Sequence, residues 1–132
     1  MELKKVLAQL QKSLSKRYIS VIFCNCEVEY KGRAKSFLAE GDRMVIIKHD
    51  NTLLVHKPDG RSPVNWMPQE SNISVTIKDN VLNIIASSIK PIEEMKVNVF
   101  EVYSFTSAPL VDTEQLKIVG TEKDMRDRKS VV

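Results

Sequence analysis

Leu3, Val6, Leu7, Leu10 and Leu14 recur at three- and four-residue steps with Lys and Gln between them, the stripe of an amphipathic helix. From Ile19 the pattern switches to alternation: Val21, Phe23, Cys26, Val28 and Tyr30 are set among polar residues, with Glu27 and Glu29 on the opposite side. That pattern predicts a half-buried strand. Gly32 interrupts it, and a second strand through Ala34 to Leu38 is expected to end in a turn at Glu40-Gly41-Asp42, where glycine is free to take positive φ. Met44 to Lys48 and Thr52 to Lys57, on either side of His49-Asp50-Asn51, read as a hairpin. After the turn composition Pro58-Asp59-Gly60-Arg61, two prolines bracket Val64-Asn65-Trp66, so Ser62 to Gln69 is expected to be an ordered loop outside any ladder. Strands resume at Ile73 to Ile77, Val81 to Ala86 and Val97 to Ser104. Thr121 and Asp124 lie at capping-box spacing and suggest a helix start, but Asp124 to Lys129 has no apolar face.

These elements predict a mostly β fold, an N-terminal helix packed on a half-closed antiparallel β-barrel. Residues 1–120 would form the domain and 121–132 a charged tail or linker stub. A length of 132 residues suits one domain with a real core. With 42% hydrophobic and 28% charged residues, neither disorder nor a membrane span is expected. The first residues carry no secretory signal core, which points to the cytoplasm. Cys24 and Cys26 are too close in sequence to suit a disulfide, and reduced thiols are expected. Charge is unevenly placed: 12 Lys and Arg stand against 7 Asp and Glu from Met1 to Trp66, but 8 against 10 beyond it. An anionic partner would meet the first half.

Among residues able to carry chemistry, Trp66 is the single tryptophan, beside Asn65 and shortly after Arg61. An indole on a stiff segment offers a stacking surface for a base, arginine can meet phosphate, and an amide can read a base edge. Equally, Trp66 could plug the barrel end and Asn65 cap a turn. Tyr30-Lys31-Gly32-Arg33-Ala34-Lys35 gathers three cations around a glycine; it is either a phosphate groove or a solvated bend. Cys24, Cys26, His49 and His56 include zinc-ligand types without paired-knuckle spacing, so no metal site is assigned. Nor does any feature orient His56 toward a thiol for catalysis. Glu29-Tyr30-Lys31 and Glu94-Met95-Lys96 mimic the Glu-x-Lys element of metal-dependent nucleases but lack carboxylate company. They are read as strand surface.

Taken together, Tyr30-Lys31-Gly32-Arg33-Ala34-Lys35-Ser36, Gly41-Asp42-Arg43, Leu54-Val55-His56 and Arg61-Ser62-Pro63-Val64-Asn65-Trp66 resemble, in order and spacing, the N-terminal domain of the archaeal and actinobacterial NucS/EndoMS mismatch endonucleases. The resemblance implies a half-open β-barrel that dimerises and grips DNA, joined in the family to a RecB-like nuclease domain that cuts with divalent metal. It places DNA-contacting arginines at Arg33 and Arg61, the stacking tryptophan at Trp66, Asn65 beside the base edge, and at Leu38 a leucine that helps fill the space of an extruded base. Lys35 joins the phosphate contacts. The family's catalytic Asp, Glu and Lys have no counterpart here, so this chain is expected to be non-catalytic, with no cofactor of its own. Expected partners are single-stranded, branched or mismatched DNA, a second copy of the chain, and a nuclease acting separately, with no membrane. The rival expectation is a dimerisation module without selective DNA binding.

Overall fold

The computed structural model describes residues 1–114 and residue 117; the helix start and charged tail expected after Gly120 lie outside them. One helix, α1 (Leu3–Ser15), is followed by seven strands: β1 (Ile19–Lys31), β2 (Lys35–Ile47), β3 (Leu53–His56), β4 (Asn65–Met67), β5 (Asn72–Lys78), β6 (Val81–Ile89) and β7 (Ile92–Ala108). All pairings are antiparallel, in the order β4-β3-β2-β1-β7-β6-β5. β4 and β5 are therefore the sheet's edges among the described residues. The expected mostly β fold, with its N-terminal helix on a half-closed antiparallel barrel, is what the chain adopts.

Val6 and Leu10 of the helical stripe are fully buried. The helix ends in a Schellman arrangement, with Tyr18 N–H donating to the Ser13 carbonyl and Arg17 N–H to that of Leu14, while Arg17 takes a left-handed φ of 56°. Ser13 and Ser20 hydroxyls, both buried, share a 2.7 Å hydrogen bond that fixes the helix to β1.

β1 alternates strictly, burying Ser20, Ile22, Cys24, Cys26 and Val28. Val21 and Phe23 therefore lie on the outer side with Glu27 and Glu29. Sequence alone groups them with Cys26, Val28 and Tyr30, and the structure corrects this: odd and even residues can share a face only across a bulge in their own strand. The register shifts leave β1 regular. Opposite Cys26–Val28 the partner steps from Gly41 to Leu38, and opposite Phe23–Cys24 it steps from Ser104 to Val102, so the extra residues belong to β2 and β7.

The expected turn at Glu40-Gly41-Asp42 does not occur. Strand β2 runs through Gly41, which marks the bulge and leaves room for Arg43: a Cβ at residue 41 would come within 3.0 Å of the guanidinium. Arg43 donates to the Cys26 carbonyl, covering a backbone acceptor beside the disturbed ladder. A further correction concerns Ser62 to Gln69, which contains β4 rather than loop alone. Val55 pairs with Asn65 and Leu53 with Met67; prolines are tolerated because this is an edge strand with one ladder only.

The long strands bend at their bulges and bring two halves of the sheet over one another. Val45, Ile47, Leu53, Val55 and Met67 from one half, and Leu82, Ile84, Ala86, Met95 and Val97 from the other, are all at 0% exposure in a single core. β5 and β6 are joined by Asp79 and Asn80, both left-handed, as a tight hairpin of primed type requires.

Candidate nucleic-acid interface

The bend sets edge strand β4 opposite the far end of β1. There, Tyr30, Val64, Asn65, Trp66, Pro68 and Glu93 line an open cleft of about 330 Å³. Trp66 is 58% exposed, so its indole is not sealed inside as a barrel plug. Asn65, on the core-facing side of β4, is half-buried beside it. Pro63 and Pro68 flank this three-residue strand, restricting the backbone that carries the ring.

Tyr30 and Glu93 are cleft residues that sequence reading does not assign. They come from the other half of the sheet, and only the bend places them near Trp66; no local motif reports that. Partial burial, the Glu93 charge and a hydrogen bond to the Glu93 carboxylate raise the Tyr30 hydroxyl above the ordinary phenol range. The phenol therefore stays a neutral donor. Its ring lies across Gly32, where any Cβ would collide with the Tyr30 hydroxyl.

Arg33 sits exposed in the connection from β1 to β2, and Lys35, also exposed, opens β2. This tip continues directly from Tyr30, so both cations stand at the cleft's end of the sheet. Arg61 is exposed in the β3–β4 connection that leads into Asn65 and Trp66. Leu38 is half-buried and packs against the core, less free than the other five sequence-assigned residues.

The thiols face the core: Cys24 and Cys26 are both fully buried and unpaired. The hydrogen bond to Cys26 and burial push Cys24 far above the usual thiol range, so it is an inert thiol. His49 is exposed and His56 lies half-buried on the outer side, level with Met44, away from both sulfurs. Among the described residues no three His, Cys, Asp or Glu side chains could hold a metal ion together. The two Glu-x-Lys tripeptides face each other, Glu29 opposite Lys96 and Lys31 opposite Glu94, which makes them cross-strand charge complements.

On the outer side of the first half, Val21, Ile46, Leu54 and Trp66 form one row and Phe23, Met44 and His56 the next. Phe23 is 46% exposed and Tyr103 50%. With Met44, Lys57 and Pro58 they line a mainly apolar hollow of about 350 Å³. Tyr103 donates a 2.7 Å hydrogen bond to Asp42 there. No helix among the described residues is long and apolar enough to cross a membrane.

Residues 16–115 match the family model of the endonuclease NucS N-terminal PH-like domain. The chain belongs to the NucS/EndoMS endonuclease family. It is 41% identical over 111 residues to endonuclease NucS of Methanocaldococcus jannaschii, an alignment covering 84% of this chain and 42% of that protein. Against endonuclease NucS of Pyrococcus abyssi it is 43% identical over 107 residues, covering 81% and 41%. Two solved structures share the fold: an EndoMS complex with double-stranded DNA (TM-score 0.84, 33% identity, 94% of this chain and 52% of that one) and a repair endonuclease from Pyrococcus abyssi (TM-score 0.74, 35% identity, 94% and 51%). The chain thus spans about half or less of the relatives it matches, and the matching portion is the NucS N-terminal domain.

Proposed function

We propose that this chain is the DNA-gripping, non-catalytic module of a NucS/EndoMS-like repair endonuclease, binding single-stranded, branched or mismatched DNA. An unpaired or extruded base stacks on Trp66, the Asn65 amide meets its edge, and Arg33, Lys35 and Arg61 take the flanking phosphates. Leu38 helps fill the space that the base leaves. The observation that carries this reading is a solvent-open indole and a half-buried amide on successive residues of β4, both bordering one cleft at the sheet end that carries the Arg33 and Lys35 hairpin. Membership of an endonuclease family, with an EndoMS–dsDNA complex among its structural neighbours, supports DNA as the ligand.

Extruding a base costs a few kcal/mol, and least where pairing is already poor. A stacking shelf therefore selects mismatches without any base code. Cleavage, and the divalent metal it uses, would belong to a nuclease domain or a separate nuclease partner. Exposed Phe23 and Tyr103, with half-buried Met44 beside them, form a surface that suits a homodimer contact, and a DNA-binding module of this kind would work in the cytoplasm.

The same apolar surface favours a second reading, a dimerisation module whose DNA contact is unselective. A gel shift with single-stranded, mismatched and perfect duplex separates the two. Selective binding that a folded Trp66→Ala protein weakens by about 1–3 kcal/mol is expected; unchanged affinity in that variant, or equal affinity for all three DNAs, overturns the stacking reading.

A further inference from the structure

Of the chain's 20 Lys and Arg and 17 Asp and Glu, five and one fall between Met1 and Arg17, leaving 15 against 16 for the rest. The whole positive surplus is therefore held by α1 and its ends. Lys5, Gln9, Lys12 and Lys16 follow one another at four-, three- and four-residue steps, and Lys16, the C-cap residue, keeps a helical backbone. They form a single stripe along the helix, and all four are exposed. The opposite side gives Val6, Leu10 and Ser13 to the interior.

Helix stability does not account for this stripe. Cations near a helix C-terminus complement its dipole, which suits Lys12 and Lys16. Lys4 and Lys5, however, stand in the first turn, where positive charge opposes the dipole; Glu2 at the N-cap is one acid against two cations. Lys12 and Lys16 also make a like-charge pair at i and i+4, which weakens a helix, and α1 contains no Asp or Glu to separate them. A polyanion lying along the stripe would reverse that cost.

Beside the stripe is a hollow of about 320 Å³ between α1 and the end of β7, lined in part by Gln9, Lys12, Lys16, Tyr18 and Ser107 and by no acidic residue. Lys16 is held over the Tyr18 ring, its ammonium 5.7 Å from the centroid. Amide and hydroxyl groups next to two ammonium groups are the combination that takes phosphate oxygens. At 1.5 Å per residue, Lys5 to Lys16 spans about 16 Å, or about five base-pair steps of 3.4 Å, long enough to meet several phosphates in turn. Leu3–Ser15 precedes the residues matched by the NucS N-terminal family model, and no residue assigned to the base cleft lies on it.

We infer that the basic stripe of α1 is a second DNA-binding surface, which holds the sugar-phosphate backbone of duplex DNA through Lys5, Lys12 and Lys16 without reading bases or pairing. The inference rests on DNA being the ligand of this domain, but not on the stacking role of Trp66. Contacts of this kind add affinity equally to matched and mismatched duplex, and salt weakens them because binding releases condensed counterions.

The test measures duplex affinity across a salt series for the full chain and three variants: Lys5→Gln/Lys12→Gln/Lys16→Gln, the same three positions changed to Arg, and Trp66→Ala. The lysines are exposed and glutamine and arginine are good helix formers, so both lysine variants should melt like the parent. The glutamine variant is expected to lower the slope of log affinity against log salt by about two to three and to weaken perfect and mismatched duplex by the same factor. The arginine variant keeps the parental slope. Trp66→Ala is expected to do the reverse of the glutamine variant, keeping the slope while narrowing the preference for mismatched duplex. A parental slope in the glutamine variant overturns the stripe, as does loss of the slope in the arginine variant or a loss confined to mismatched duplex. A polyglutamate peptide that binds the parent more tightly than duplex at the same salt, and the glutamine variant not at all, gives the surface to an acidic protein and overturns it too. If the slope falls as expected while Trp66→Ala changes nothing, the stacking reading alone fails; if the parent binds no duplex, both fail.

Discussion

On their inner sides the two halves of the sheet are alike, each sealed at 0% exposure in a shared core. On their outer sides they differ. The second half carries a polar row, Thr76, Asn83, Asn98 and Glu27, in which Asn98 donates 2.8 Å hydrogen bonds to both Glu27 and Glu29. No buried side-chain polar atom is left without a partner among the described residues. The first half shows water Phe23, Met44, Tyr103 and the Trp66 row. Hydrogen bonding closes the middle of one outer face, whereas the other leaves large apolar side chains in water.

The deepest break comes from inside. Leu82→Ala removes a fully buried side chain and is expected to destabilise the domain by about 3 kcal/mol in denaturant unfolding, whereas Phe23→Ala on the outer face should change unfolding of the isolated chain by less than about 1 kcal/mol. Equal costs would erase the distinction between faces. Phe23→Asp is expected instead to weaken self-association by about 2 kcal/mol in sedimentation while the chain stays folded; an unchanged dimer would move the contact elsewhere. Asn98→Ala, which leaves Glu27 and Glu29 without their shared donor, should cost about 1–2 kcal/mol and tests whether the polar row holds itself together.

The smallest effect is alkaline. Its hydrogen bond to Asp42 raises Tyr103 from 10.0 to about 12. Between those values the native state holds a proton that the unfolded chain has released, so stability present below about pH 10 falls as pH rises through 12. Tyr103→Phe should flatten that decline in pH-dependent melts, and an identical slope would show that Asp42 does not hold the phenol.

Periodicity makes the helix and most strands legible, because each follows from a local repeat. It misassigns Phe23 because β1 itself is regular and the bulges beside it sit on β2 and β7, which a window on one strand does not see; Gly41 reads as a turn because it stands at the β2 bulge, inside a strand that continues. β4 is hidden by its prolines, which an edge position tolerates. In the cleft, Trp66 and Asn65 stand out as rare chemistry on a stiff segment, but Tyr30 and Glu93 arrive through a fold-over of distant strands and leave no local mark. Lysines and glutamates alternating with bulky residues read correctly as strand surface, since their complements face them across the β1–β7 ladder.

Gly32 makes the cationic hairpin and the aromatic cleft one mechanical part. The Tyr30 ring occupies the volume a side chain would need at residue 32, so adding even a methyl group there evicts the phenol and frees the Glu93 carboxylate with it. An alteration at a solvent-exposed turn would thus be registered in the recess rather than at the tip, and the two regions would be expected to vary in concert.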